Sequence, residues 1–422
     1  MRRMKFVHAA DLHLDSPLRG LSRRTDAPID RVRFASRTAL SNLVELCIEE
    51  RAELLLIAGD VYDGDWRDYS TGLFFTHQMG RLREAGVQVV MIRGNHDAAS
   101  QITKSLRLPD NVRELSFRAP ETLCLDALGI AMHGQSFATR AVVENLAQSY
   151  PERVPHLLNV GLLHSSINGR AGHEPYAPCS LDTLKSKGYD YWALGHVHAR
   201  EVVCEDPWVV FPGNLQARHA RESGPKGATL VTYDAEGVRS IEARALDDVR
   251  FTHCLLDLSG VRLWDDTLDR LRERLLSEFA GSDGRVLGVR VELAGVTALH
   301  PRLIIDDAFV ENARALALDV AGDQLWIEKL VVNTSKDVAR RELHVGDGPI
   351  AELLAALEEA RRSPELLREL AQDLAELRSK LPSELREGDD ALQLEAPEFI
   401  ASQLDAVEQL LLTRLLPEPR EA

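Results

Sequence analysis

Five short clusters of carboxylate, amide and imidazole residues punctuate the first half of this 422-residue chain: Asp11-Leu12-His13, Gly59-Asp60, Gly94-Asn95-His96-Asp97, His164 and Gly195-His196-Val197-His198. Oxygen and imidazole donors with no cysteine among them suit manganese, iron or zinc in a catalytic site rather than a thiolate-bound structural zinc. Asp11, His13, Asp60 and His198 can serve one divalent ion, and Asp60, Asn95, His164 and His196 a second, with Asp60 as the bridge. Two ions about 3.5–4 Å apart create a nucleophile at neutral pH and neutralise charge on a phosphoryl group under in-line attack. The pattern therefore reads as a two-metal phosphoesterase site. His96 stands beside a ligand without being needed as one, and an imidazole titrating near neutrality suits protonation of the leaving oxygen.

Such ligands need a scaffold that brings them to one place, and the sequence supplies it. Phe6-Val7 precedes the first cluster, Leu54 to Ala58 the second, Val89 to Ile92 the third, Val160 to Leu163 the fourth and Tyr191 to Leu194 the fifth. Continuous apolar runs of this length are strands buried on both faces. The polar residues then fall at C-terminal strand ends, where helix-covered sheets place their sites. Gly59, Gly94 and Gly195 fit the same picture, because a missing Cβ lets backbone turn sharply and approach an ion.

A lone Asp-x-His or Gly-Asp is weak; five clusters in this order, each after a strand-like run, are specific. The remaining histidines lack that support. His8 sits within the first strand and reads as a core residue or a neighbour of the ligands, and His133 at the end of Ile130-Ala131-Met132 as a packing residue. His77, His156, His173, His253 and His300 carry no motif, while His219 lies in a loop that can face the pocket.

The order of these clusters resembles the calcineurin-like metallophosphoesterase superfamily. Phe6 to Leu18 is similar to the bacterial DNA-repair exonuclease family with its SbcD-like and, more closely, YhaO-type members. Pro175 to Cys179, Tyr189 to His198, and Phe211 to Gln216 continuing to Gly224-Pro225-Lys226-Gly227 carry the same resemblance, which covers roughly residues 4–245. It implies an α/β fold, a two-layer β-sandwich flanked by helices, over residues 1–247. It also implies the ligand set above, with His96 as the transition-state histidine and manganese as the preferred ion. Many nuclease members carry a second histidine shortly after Gly-Asp, whereas this chain reads Gly59-Asp60-Val61-Tyr62-Asp63, leaving Asp63 to orient His96. Protein phosphatases of the superfamily usually read Gly-Asn-His-Glu and Asp-Arg-Gly, which this chain does not.

Thr229 to Tyr233 and Val238 to Ala243, joined by Asp234-Ala235-Glu236-Gly237, read as a hairpin closing the catalytic sandwich. Phe251 to Leu258, Trp264 to Phe279 and Gly288 to Leu293 read as strand, helix and strand. The resemblance makes residues 248–345 a small α/β capping domain that narrows access to the site. From residue 346 to 422 the chain turns to helices rich in Leu, Ala and Glu. Leu353, Leu354 and Leu357, then Leu366, Leu367, Leu370, Leu374 and Leu377, then Phe399, Ile400, Leu404, Val407, Leu411 and Leu415 form apolar stripes at helical spacing. These stripes pack on their own protein or, as the resemblance suggests, dock on the coiled-coil root of an SMC-like ATPase. The chain has no Gly-x-x-x-x-Gly-Lys-Ser/Thr loop of its own for ATP.

Length implies two or three domains. No apolar stretch approaches the roughly 20 residues a membrane span requires, and the apolar run after Met1-Arg2-Arg3 ends at Asp11, unlike a signal peptide. Five cysteines without close pairs read as free thiols of a reducing compartment, hence a cytoplasmic protein. The net charge of −16 is unusual for a DNA-binding chain. Arg19, Arg23, Arg24, Arg31, Arg33 and Arg37, with Arg218, Arg221 and Lys226, can line a phosphate path or be solvated surface charges. The leading expectation is a metal-dependent DNA exonuclease or endonuclease of repair with an ATPase partner, and the family suggests a homodimer through Val32 to Glu50 and Tyr69 to Ala85. A phosphodiesterase or phosphatase for small nucleotides or phosphoproteins, and a scaffold tethering an ATPase, are the alternatives.

Overall fold

The computed structural model describes residues 3–16, 28–63, 69–99, 107–167, 176–336, 348–381, 394 and 396–415. In chain order the elements are β1 (Met4–Ala9), α1 (Ile29–Glu49), β2 (Leu54–Ala58), α2 (Tyr69–Glu84), β3 (Gln88–Ile92), α3 (Asn95–Ala99), β4 (Val112–Glu114), β5 (Glu121–Leu125), β6 (Ile130–Gly134) and β7 (Leu158–His164). There follow α4 (Leu181–Ser186), β8 (Tyr191–Gly195), β9 (Glu201–Glu205), β10 (Trp208–Phe211), β11 (Gly227–Asp234), β12 (Gly237–Ala245) and β13 (Val249–Asp257). The last are α5 (Trp264–Ala280), β14 (Val286–Val296), α6 (His300–Ile305), α7 (Ala308–Ala321), β15 (Leu325–Ser335), α8 (Pro349–Arg362), α9 (Pro364–Lys380) and α10 (Pro397–Leu415).

Two six-stranded sheets, ordered β12-β11-β1-β2-β3-β4 and β5-β6-β7-β8-β10-β9, make the α/β sandwich. β1 to β4 run parallel, as do β6, β7, β8 and β10; antiparallel strands form the edges at β12, β5 and β9, while the β4 edge is parallel. Strand alternation explains the unbroken apolar runs. Phe6, Leu54, Leu56, Val90 and Ile92 point inward to meet Ile130, Met132, Val160, Leu162, Tyr191 and Val210 of the facing sheet. Their neighbours Val7, Leu55, Ile57, Val89 and Met91 point outward and pack on Leu40, Leu43, Val44, Phe75 and Met79 of α1 and α2. Trp192, Leu194, Val209 and Phe211 cover the outer face of the second sheet with Tyr150, Leu184 and Tyr189. The hairpin expected at residues 229–243 is present as β11 and β12 and extends the first sheet beyond β1.

The chain divides into two compact units, Met1–Cys254 with Leu275–Arg290 and Arg314–Lys329, and Leu255–Arg274 with Val291–Ala313 and Leu330–Ala422. β13, β14 and β15 form a three-stranded sheet in that order. In the second unit Trp264 meets Phe309 edge-on and lies under Arg302, whose Cζ is 3.9 Å from the ring centroid. There the terminal helices pack on one another: Leu367, Ala371, Ile400 and Leu404 are buried together, beside an Arg361–Glu408 ion pair of 2.6 Å. Leu366, Leu370, Leu377, Val407 and Leu415 remain exposed. No described helix is long and apolar enough to cross a membrane.

Candidate metal centre

The C-terminal ends of β1, β2, β3, β7 and β8, the turns that follow them and the start of α3 carry the candidate ligand clusters to one end of the sandwich. The first two are zipped together by backbone: the Asp11, His13 and Leu14 amides donate to the Gly59, Asp60 and Val61 carbonyls at 3.0, 3.1 and 3.0 Å. Asp11 in turn accepts from the His196 amide at 2.9 Å, and Asp60 from the His96 amide at 2.9 Å. Asp11, His13, Asp60 and His196 all adopt positive φ, at 51°, 41°, 54° and 97°. Left-handed backbone at four non-glycine residues is costly and concentrates where a site dictates geometry. Two glycines are required by space: a Cβ on Gly94 would lie 2.2 Å from Asp60 Oδ1, and one on Gly195 2.0 Å from the Ala58 carbonyl oxygen.

Among the described residues, three trios of donors have atoms mutually within 4.8 Å: Asp11, His13 and His198; His13, Asp60 and His96; Asp11, Asp60 and His164. Asn95 joins through Oδ1, 2.9 Å from His164 Nε2. His196 is in none of the three, its ring standing edge-on to His164 with centroids 5.2 Å apart. His8 and His133 lie elsewhere, buried, His8 against the Tyr191 hydroxyl and the Leu194 carbonyl, His133 against Thr122 and Asn159. His300 bonds Thr334 Oγ1, His77, His156 and His253 are exposed, and His173 is outside the described residues.

The hydrogen bonds of the ligand histidines fit a cation. His164 donates from Nδ1 to the Ala58 carbonyl at 2.9 Å, so its Nε2 is turned to Asn95 Oδ1 at 2.9 Å and Asp60 Oδ2 at 3.3 Å, where it can hold a proton or face a cation. His198 donates from Nδ1 to Glu222 at 2.6 Å, turning its Nε2 toward His13 Nε2 at 3.2 Å. Imidazole nitrogens, an amide oxygen and a carboxylate gathered so closely make a set of donors that a cation suits. An outer partner fixing the far ring nitrogen is the usual arrangement of metal-ligating histidine.

A family model described as calcineurin-like phosphoesterase matches residues 4–200, and one described as metallophosphoesterase YhaO, middle domain, matches residues 251–335. The chain is 35% identical over 282 residues to the uncharacterized metallophosphoesterase YhaO of Bacillus subtilis (strain 168), covering 64% of this chain and 69% of that protein. It is 26% identical over 331 residues to the DNA double-strand break repair protein Mre11 of Methanopyrus kandleri, 72% of this chain and 70% of that one. A protein of the same description from Sulfurisphaera tokodaii is 26% identical over 290 residues, 65% and 70% of the two chains. The chain belongs to the calcineurin-like metallophosphoesterases.

Members of that family typically bind two divalent metals, and the convergent donors of this metallophosphoesterase are candidates to hold them. The electrostatics agree. Burial pushes Asp11 up to about 6, against the pull of His164 and His198. Burial works against protonated His164 too, yet the Asp60 and Asp11 carboxylates outweigh it and raise the imidazole to about 9. A proton there relieves the same acceptor opposition that a metal cation would. Asp97 is buried and pushed up to about 7 by desolvation and by Asp60, although the Val61, Tyr62 and Gly94 amides all donate to it. It ties the loop after β2 to the loop after β3.

Asp63 holds His96 as the sequence suggested, with His96 Nδ1 at 2.8 Å from Asp63 Oδ1. Despite burial, this bond and the Arg218 guanidinium keep the Asp63 carboxyl far below its ordinary range. For His96, burial opposes charge, but Asp63 and Asp60 prevail and raise its pKa.

The basic residues divide differently from a simple phosphate path. Arg218 is engaged by Asp63 at 2.8 Å and Ser16 at 3.1 Å; Arg37 pairs with Asp15 and Arg31 with Asp248. Lys226 is buried and donates to the His198 carbonyl at 2.9 Å. Arg33 lines a crevice beside His13 with Ser16 and Arg218. Arg19, Arg23 and Arg24 lie outside the described residues. Glu222, Asn214 and Asp97 act on the centre although the sequence pattern gives them no role there. Glu222 had one available signal, its place between Gly213-Asn214 and Lys226-Gly227 in a segment already marked by resemblance.

Proposed function

We propose that this metallophosphoesterase is a two-metal DNA nuclease of repair, an exonuclease or endonuclease that hydrolyses phosphodiesters with His96 as general acid. The observation that carries the reading is the convergence of buried His164, Asn95 and Asp60, and of His13 and His198, with the far ring nitrogens of His164 and His198 held by the Ala58 carbonyl and Glu222. The similarity to chains described as DNA double-strand break repair proteins supports DNA as the substrate. Asp11, His13, Asp60 and His198 would hold one ion and Asp60, Asn95, His164 and His196 the other, with manganese taken from the family resemblance and iron or zinc equally compatible with the donor set. Two ions held there polarise the phosphoryl oxygens and provide a nucleophile at neutral pH. His96 gives Nδ1–H to Asp63, so the imidazolium carries its second proton on Nε2, free to pass to the departing oxygen. Asp63, kept ionised by Arg218, favours that imidazolium. An SMC-like ATPase docked on the terminal helices, a homodimer through α1 and α2, and a cytoplasmic location complete the proposal.

The test is digestion of end-labelled linear duplex DNA with manganese, using Asp60→Asn and His96→Ala as controls. We expect cleavage by the wild type alone, metal loss in Asp60→Asn, and full metal content with about 10²–10⁴-fold less turnover in His96→Ala. A metal-loaded wild type that cleaves bis(p-nitrophenyl) phosphate but no DNA, even with an ATPase partner added, would overturn the nuclease reading in favour of a smaller phosphodiester.

A further inference from the structure

Residues 115–120 cross from the end of β4 in one sheet to the start of β5 in the other, on the same rim that carries the loop after β3. Leu115 anchors this crossing in the core, but Phe117 is 42% exposed. A solitary exposed phenylalanine needs no explanation; this one is flanked by two guanidinium groups. The Arg93 and Arg118 Cζ atoms lie 5.7 and 5.8 Å from its ring centroid. Arg93 is fixed: its side chain pairs with Glu114 at 2.6 Å, its amide donates to Ser136 Oγ at 3.0 Å, and its carbonyl accepts from the Phe137 amide at 3.0 Å. Arg118 is exposed and makes no ion pair among the described residues. Arg93 precedes Asn95 by two residues, at most about 7 Å of backbone. One rigid side chain therefore links the exposed ring to the loop bearing Asn95 and His96.

We propose that Phe117, with Arg93 and Arg118, is a stacking platform for an unpaired nucleobase of the strand whose phosphodiester lies at the metal centre. The proposal rests on the nuclease reading and adds to it how a strand end is held. Every base has a π-face, so an aromatic ring takes bases without regard to sequence. Guanidinium groups stack on the same faces, and the exposed Arg118 cation, without an ion pair among the described residues, suits an adjacent backbone phosphate. A base can reach the ring only when it is unstacked, so the platform favours frayed or single-stranded ends over fully paired ones.

The experiment compares wild type, Phe117→Ala and Phe117→Trp, each as the full chain with manganese, on three substrates. These are a duplex with an unpaired terminal tail, the same duplex with abasic units in the tail, and bis(p-nitrophenyl) phosphate. Phe117→Ala should lose roughly 5- to 150-fold in kcat/KM on the tailed duplex while hydrolysing the small ester at the wild-type rate, which also certifies its fold. Phe117→Trp should restore the loss. Abasic units should cost the wild type a similar factor and Phe117→Ala almost nothing. Equal kcat/KM of wild type and Phe117→Ala on the tailed duplex, or an equal abasic penalty for both, would overturn the platform and leave the nuclease reading intact. Wild-type hydrolysis of the ester without any cleavage of DNA would overturn both.

Discussion

Glu222 accepts three hydrogen bonds on one nearly buried carboxylate: from His198 Nδ1 at 2.6 Å, Asn214 Nδ2 at 2.7 Å and the Arg218 amide at 2.6 Å. Its pKa is held well below the ordinary carboxylate range, because the bond and charge of His198 outweigh burial. It therefore stays an acceptor and fixes which ring nitrogen His198 turns toward His13 and the proposed metal site. Glu222→Ala should weaken the ion shared by Asp11, His13 and His198 by about 10–100-fold and leave the ion near Asn95 and His164 unchanged. Manganese titration should then resolve one tight and one weak site, and two sites of unaltered affinity would refute the role. His8 allows a prediction about acid stability. It is fully buried, and desolvation lowers its pKa from 6.5 to about 3, so it folds neutral. Between those two values the unfolded chain binds a proton that the folded chain does not, so stability falls as pH drops below about 6.5, by about 1.4 kcal/mol per unit at most. Denaturant unfolding at pH 7, 6 and 5 should show this component in the wild type and lack it in His8→Gln.

The elements bear on the site through their ends. Gly195 closes β8 opposite His164 on β7, and the Ala58 carbonyl that ends β2 is both the acceptor for His164 Nδ1 and the atom 2.0 Å from where a Cβ at position 195 would stand. Gly195→Ala must push β8 away from β2, so it should cost about 1–3 kcal/mol as overpacking does. It should also free the His164 ring, with loss of bound manganese measured on the folded variant. Retention of both ions would show that the strand ends have slack. These elements were legible in the sequence for a definite reason. Strands buried on both faces, such as Leu54–Ala58 and Tyr191–Gly195, need unbroken apolar runs, and the ligands follow them directly. The positive φ of Asp11, His13, Asp60 and His196 left no such trace, since no glycine marks those positions. Glu222 was hidden because its partners lie 24, 8 and 4 residues away in the chain, without periodicity or motif. Lys226 misled because a lysine next to glycines reads as a surface cation, whereas here it is buried on the His198 carbonyl.

At the scale of the molecule, a net charge of −16 must be reconciled with the polyanionic substrate proposed above. Arg33, Arg93 and Arg118 supply cations at the rim among the described residues, and a second copy would double that face. α1 and α2 expose Phe34 at 48%, Tyr69 at 68% and Leu73 at 65%. Arg37 joins the two helices there, its Cζ 5.9 Å from the Phe34 ring centroid and 5.3 Å from that of Phe74, and it donates to Ser70 Oγ at 3.1 Å. Self-complementary apolar patches on paired helices are what a twofold interface uses. If a second copy covers this face, the wild type should elute in light-scattering chromatography at twice 46.9 kDa. Leu73→Glu with Phe34→Glu should then give a monomer, because a carboxylate on each side of the interface meets its own symmetry mate. Both changes lie on exposed helix positions away from the metal ligands, so manganese content and hydrolysis of bis(p-nitrophenyl) phosphate should survive. Affinity for a long duplex should fall, since one chain then grips the strand without its partner. A wild type of single-chain mass would remove the interface and leave the proposed DNA contacts to one chain.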